Sequence, residues 1–166
     1  MHNTIIILML FLSVLFGVGC DSHSSDEKMI QNFNDHKSEF EELLTMFQAD
    51  KKLGRVGDGF TRSADLESED IGVTEERLDE YYKLFEELGL PDGIEGYGDK
   101  ETIYFYSSTA GLGISGSMKG YIYTEDPEYY FEQVNNLDEY TSSDGQSFDA
   151  IRDIGYGWYL YYSYED

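Results

Sequence analysis

The chain is 166 residues long, with 34 Asp and Glu against 11 Lys and Arg, a formal net charge of -23, and a content of 40% hydrophobic and 16% aromatic residues. That apolar and aromatic content excludes a disordered chain, and so acidic a field excludes nucleic acid and an unaided approach to an anionic membrane, because it repels both. One cysteine excludes an internal disulfide, so the fold rests on its core.

The first element in chain order is an apolar run from Ile5 to Val18, followed by Gly19 and the only cysteine, Cys20. The run has the size of a signal-peptide core and falls short of the ~20 residues that a helix needs to cross a bilayer. Gly17-Val18-Gly19-Cys20 resembles the lipobox of bacterial lipoprotein precursors, although Gly17 stands where leucine is usual and the start Met-His-Asn-Thr has no Lys or Arg. The resemblance implies that residues 1–19 are a signal peptide removed by signal peptidase II and that Cys20 is the lipidated first residue of the mature protein. It also implies a diacylglycerol on the sulfur and often a further acyl chain on the new amino group. At about 0.8 kcal/mol per buried methylene, two or three chains hold a protein stably at a membrane. The location implied is the cell envelope, facing outside the cytoplasm, and Asp21 resembles the inner-membrane retention signal of enterobacterial lipoproteins. The alternative is an ordinary secretory signal cut near Gly19.

Residues 20–25 read as a short tether, and 26–166 as a single α+β domain, since no Pro/Ser/Gly linker divides them. Ser24-x-x-Glu27 matches a capping box. Met29, Phe33, His36, Phe40, Leu43 and Phe47 then recur at steps of three and four, which predicts one amphipathic helix over 26–49. Gly54, Gly57 and Gly59 break any helix in 50–72, and 65–70 reads as a solvated acidic loop. Thr74 caps a second helix through Leu78, Tyr81, Tyr82, Phe85 and Leu88, ended by Gly89-Leu90-Pro91.

From about residue 100 the period changes to two. Segments 102–107, 118–124 and 156–164 are rich in β-branched and aromatic residues and predict three antiparallel strands, with weaker strands at 111–115 and 148–154 and a short helix over 126–134. Helices first and strands afterwards predict N-terminal helices packed on one face of a C-terminal antiparallel sheet.

Few residues carry catalytic chemistry. His36 is the only histidine inside the domain, on an apolar helix face where a core-edge role is expected, and no Ser/His/Asp, Cys/His or zinc set can be assembled around it. Gly111-Leu-Gly113-Ile-Ser-Gly116 matches G-x-G-x-x-G, but a strand follows it where a dinucleotide site needs a helix, so the glycines read as a tight hairpin and bulged strand. The acidic stretches 92–99 and 138–144 do not fit the twelve-residue EF-hand pattern. They read as plain turns, so no metal site or cofactor is expected, calcium being the only one such loops could take.

The remaining constellation is aromatic: thirteen of the fifteen tyrosines lie from Tyr97 onward. Alternation puts Ile103, Phe105, Met118, Ile122, Trp158 and Leu160 on one sheet face, against Phe33, Phe40, Phe47, Tyr81 and Phe85. It puts Tyr104, Tyr106, Tyr121, Tyr123, Tyr159 and Tyr161 together on the other. Tyrosine offers rigid apolar area with a polar tip, which suits a binding surface, and it also stabilises open sheets by cross-strand pairing. The sequence therefore reads as a non-enzymatic, membrane-anchored envelope lipoprotein that binds another envelope component, such as a basic protein, through an acidic, tyrosine-rich sheet surface. A structural or stress-related surface lipoprotein without a ligand and a small carboxylate hydrolase are the alternatives.

Overall fold

The computed structural model describes residues 23–96, 101–112, 115–127, 131–142 and 145–166. The expected signal peptide over 1–19, Cys20 and Asp21 lie outside the described residues. Helix α1 spans Asp26–Asp35, α2 spans Lys37–Ala49 and α3 spans Glu75–Leu88. The predicted helix over 26–49 is thus two helices, broken at His36, whose φ of -123° and ψ of 29° leave the helical region. The apolar stripe is buried on both sides of the break, at Met29 and Phe33 and again at Phe40, Leu43 and Phe47. The capping box does not form. The N-cap is Ser25, without a side-chain cap, and the first free N–H of α1, on Asp26, is instead accepted by the Asp138 carboxylate at 2.9 Å. Helix α3 begins and ends as its sequence predicts: Thr74 Oγ1 accepts from the Arg77 N–H, and Gly89 takes the left-handed conformation at φ 67°.

Eight strands among the described residues form one sheet. They are β1 (Leu53–Gly57), β2 (Phe60–Ser63), β3 (Gly93–Gly96), β4 (Thr102–Leu112), β5 (Ser115–Thr124), β6 (Glu132–Gln133), β7 (Phe148–Gly155) and β8 (Trp158–Glu165), in the order β2-β1-β3-β4-β5-β8-β7-β6. The class is α+β, with two differences from the sequence reading. The glycine-rich segment after α2 is a β1–β2 hairpin, so strands also precede α3. The sheet is mixed, because β6 runs parallel to β7 while the other pairs are antiparallel. The short helix predicted over 126–134 is absent from its described part, which holds β6; residues 128–130 lie outside the described residues. Of the weaker strand predicted over 111–115, Gly111 pairs with Gly116 and Leu112 with Ser115 across β4 and β5, and residues 113–114 lie outside the described residues. The sheet bulges in β4 between Tyr106 and Ser108, away from those glycines.

The register gives each face its own row of side chains. Val56, Ile94, Phe105, Tyr121 and Leu160 lie directly opposite one another across β1-β3-β4-β5-β8, and Ile103, Tyr123 and Trp158 form a parallel row on that first face. Their neighbours on the same strands, Arg55, Glu95, Tyr104, Ile122 and Tyr159, form a row on the second face. Phe33 and Phe40 meet the first face: Phe33 is 5.2 Å from Trp158, and Phe40 lies 4.8 Å from Tyr121 and 5.7 Å from Trp158 between ring centroids. Phe47, Tyr81 and Phe85 belong to the same buried cluster as Phe105, Trp158 and Leu160, as the helical stripes predict.

Candidate functional site

The six tyrosines do not form one platform. Tyr121 and Tyr123 turn to the first face, while Met118 and Ile122 turn to the second, where Ile122 is buried with Phe131, Ile151 and Tyr161. Alternation had established that Tyr121 and Ile122 point in opposite directions, and pairing decided which way: Phe105 lies opposite Tyr121, and Tyr121 opposite Leu160. Tyrosine is tolerated there because its hydroxyl is satisfied. It donates to the Met29 carbonyl at 3.0 Å and accepts from the Asn32 amide at 3.3 Å. Burial pushes the Tyr121 phenol up to about 12, against the opposing pull of Asn32.

Tyr104, Tyr106, Tyr159 and Tyr161 remain together on the second face. Tyr106 and Tyr161 are buried there, each 6% exposed, whereas Tyr104 and Tyr159 are half-buried. Gly120 lies opposite both Tyr106 and Tyr161 and contributes no side chain between them. Even a Cβ at that position would sit 2.1 Å from the Phe105 carbonyl oxygen, so only glycine fits. Tyr104 fills the neighbouring space, stacked on Tyr106 at 6.1 Å and edge-on to Tyr161 at 5.4 Å. Tyr106 donates to Glu95 at 2.9 Å, and Tyr161 donates to Asp149 at 2.6 Å. Burial, then the Asp149 bond, raises the Tyr161 phenol well above its ordinary value.

The two ends of this face differ in charge. At one end Glu95, 3% exposed, pairs with Arg55 at 3.3 Å and with Arg62 at closer range, and the Arg55 guanidinium lies 5.1 Å from the Tyr106 ring. Glu95 falls in the acidic stretch 92–99, where its commitment to two arginines removes it as a calcium ligand; residues 97–99 lie outside the described residues. At the other end Asp153 lies opposite Tyr159. Burial and the nearby carboxylates of Asp153 and Asp126 raise the Tyr159 phenol. A half-buried tyrosine between two carboxylates can receive a cationic side chain, through its ring face and by charge.

A second polar cluster lies on the first face beside the start of α1. The wholly buried Asp26 accepts from the Leu137 N–H at 2.8 Å and Arg152 at 2.9 Å, and pairs at 2.8 Å with Lys119, which also pairs with Asp138. Burial alone would raise the Asp26 carboxyl; bonds from Lys119, Leu137 and Arg152 outweigh it and hold the carboxyl below its ordinary value. Asp138 belongs to the stretch 138–144, so this pairing also removes it from any calcium set; residues 143–144 lie outside the described residues. His23 lies in the same cleft of about 410 Å³, its two ring nitrogens each 2.7 Å from a serine hydroxyl, Ser108 and Ser117. Burial, then the charge of Lys119, lowers its pKa. The predicted tether therefore ends at His23, which is part of the folded body.

His36 is half-buried at the helix break, and one of its nitrogens lies with carboxylate oxygens of Glu39 and Glu87 within 4.8 Å of one another. The i, i+3 spacing of His36 and Glu39 was legible, whereas Glu87 arrives from α3. The Glu95 and Asp26 clusters were likewise invisible, because their members are up to 126 residues apart in sequence. No helix among the described residues is long and apolar enough to cross a membrane. No protein-family model matches the chain, and no curated protein or solved structure matches it.

Proposed function

We propose that this protein is a non-enzymatic lipoprotein of the cell envelope, anchored through Cys20 and facing outside the cytoplasm, which binds a basic protein through the acidic end of its second sheet face. In this reading α1, α2 and α3 form a layer over the first face, supported by the ring contacts of Phe33 and Phe40 with Trp158 and Tyr121. The second face is then left for recognition. The observation that carries the reading is the row Tyr104–Ile122–Tyr159–Asp153, with Asp126 nearby: half-exposed tyrosines over an apolar floor, ending in carboxylates. The surface is narrower than six tyrosines, since Tyr106 and Tyr161 are buried beside it and Tyr121 and Tyr123 turn to the other face. Asp21 favours inner-membrane retention where there are two membranes.

Two measurements test this. Cys20→Ser should abolish lipid labelling, and normal cleavage with unchanged membrane retention in that variant refutes the anchor. Envelope extract passed over the protein should yield a basic protein that elutes with salt and is lost from Tyr159→Ser/Asp153→Asn; retention by that variant refutes the surface. The burial and satisfied hydroxyls of Tyr106 and Tyr161 favour a second reading, in which the tyrosines only stabilise the sheet. It predicts no captured partner at all.

A further inference from the structure

The chain is charged at 27% of its positions, yet 102–118 contains no Asp, Glu, Lys or Arg between Glu101 and Lys119. This run holds all of β4 and the first part of β5. Strand β3 pairs with β4 only as far as Tyr106, so the distal half of the β4–β5 hairpin continues past the end of β3. Its exposed and half-buried residues there are uncharged and mostly small: Ser107, Ser108, Thr109, Ala110 and Gly111 on one strand, Ser115, Gly116, Ser117 and Met118 on the other, while Lys119, opposite Ser108, is buried.

The N-terminal arm is fixed to this same half. His23 bridges Ser108 on β4 and Ser117 on β5, at 2.7 Å to each, with its ring edge against Tyr162 at 5.6 Å. Cys20 is three residues upstream, so a fully extended arm places it no more than about 10 Å from His23. A lipid on Cys20 must therefore enter the bilayer near the hairpin end. It cannot do so near the β7–β8 turn at Tyr156, because β8 runs the length of the sheet from Trp158 to Glu165, and Glu165 is the residue that lies opposite Gly116. Acids flank the hairpin, among them Asp92, which accepts from Thr109 at 3.1 Å, and Glu165 with its neighbour Asp166. They oppose approach to a densely anionic surface and leave approach to a zwitterionic one unhindered.

We infer that the distal half of the β4–β5 hairpin is the membrane-contacting surface of the anchored protein, resting on zwitterionic lipid headgroups with the rest of the sheet directed away. This rests on the anchor reading, though not on the partner. The His23 bridge sets the orientation by denying the arm free rotation. An uncharged hairpin rests on the headgroups without stripping water from charged side chains, a cost that the rest of so charged a surface would incur.

The test uses the full lipidated chain in phosphatidylcholine vesicles. Because lipidation occupies the Cys20 sulfur, Thr109→Cys or Tyr156→Cys supplies the only free thiol for an environment-sensitive fluorophore. Quenching by nitroxide-headgroup lipid is expected to be several-fold stronger at 109 than at 156, with the difference reduced when phosphatidylglycerol is added. His23→Ala should still float with the vesicles but bring the two labels close to equal quenching. Equal or reversed quenching in protein that floats overturns the inference and leaves the anchor standing. Failure to float overturns the anchor itself, and the inference with it. An unchanged difference in His23→Ala overturns the bridge as its cause.

Discussion

The two faces of the sheet are built from alternate residues of the same strands, yet they are stabilised by different means. On the first face the row Val56–Ile94–Phe105–Tyr121–Leu160 is almost wholly buried, and its only hydroxyl is answered by α1. On the second the adjacent row Arg55–Glu95–Tyr104–Ile122–Tyr159 mixes buried with half-exposed groups, and its Glu95 pairs with Arg55 and accepts from Tyr106 beside the row. The first face is held mostly by apolar area, with the buried cluster of Asp26, Lys119 and Arg152 beside it at the start of α1. On the second face Glu95 meets Arg55, Arg62 and Tyr106 within the face itself, and Tyr104, Tyr106, Tyr159 and Tyr161 lie there together.

The largest expected effects lie on the first face. Phe40→Ala removes a fully buried ring that touches Phe33, Phe105, Tyr121 and Trp158, and should cost about 3–5 kcal/mol. The denaturant midpoint should fall with an unchanged slope, and a loss below 1 kcal/mol would break the comparison. Lys119→Met should approach the same size, about 3–5 kcal/mol, because it leaves Asp26 buried beside Arg152 alone. Lys119→Met combined with Asp26→Leu should recover much of that loss.

Acid titration sharpens the second case. The folded Asp26 carboxyl is held below its ordinary value, so its stabilisation is present above the unfolded pKa of about 3.9 and disappears as pH falls through the folded value. Unfolding followed from pH 6 downward should therefore show a shallower acid limb in Asp26→Asn than in the parent, whatever the variant loses at neutral pH. Identical limbs would show that other carboxylates govern acid unfolding.

Tyr121→Phe is the next smaller effect, at about 1 kcal/mol, since the ring stays and only the bonds to Met29 and Asn32 are lost. The phenol is raised to about 12 in the fold, so its contribution is complete below the unfolded pKa of about 10 and is lost as pH rises towards 12. Ultraviolet titration should show one late-ionising tyrosine fewer in the variant. The smallest effect belongs to the second face: Tyr159→Ser should change stability by less than about 0.5–1 kcal/mol while weakening capture of the basic protein proposed as its partner. A large loss of stability there would make Tyr159 a structural residue and erase the functional difference between the faces.

Local patterns in the sequence were sufficient for elements whose signals are local. Thr74 and Gly89-Leu90-Pro91 marked both ends of α3, and period-two alternation found β4, β5, β7 and β8. The stripes of Phe33, Phe40, Phe47, Tyr81 and Phe85 identified core residues that share one buried cluster with Phe105, Trp158 and Leu160. The α+β class follows from those elements, and the acidic character is a matter of composition. Tertiary structure alone decided which way β5 turns, because alternation within a strand separates Tyr121 from Ile122 without saying which meets the helices. That choice came from pairing with Phe105 and Leu160 and from a carbonyl on α1 placed to accept the Tyr121 hydroxyl. It also decided that His23 belongs to the body and that Glu95 and Asp26 are buried. A buried charge is tolerated only where counter-charges converge, and those counter-charges come from strands, loops and helices distant in the chain.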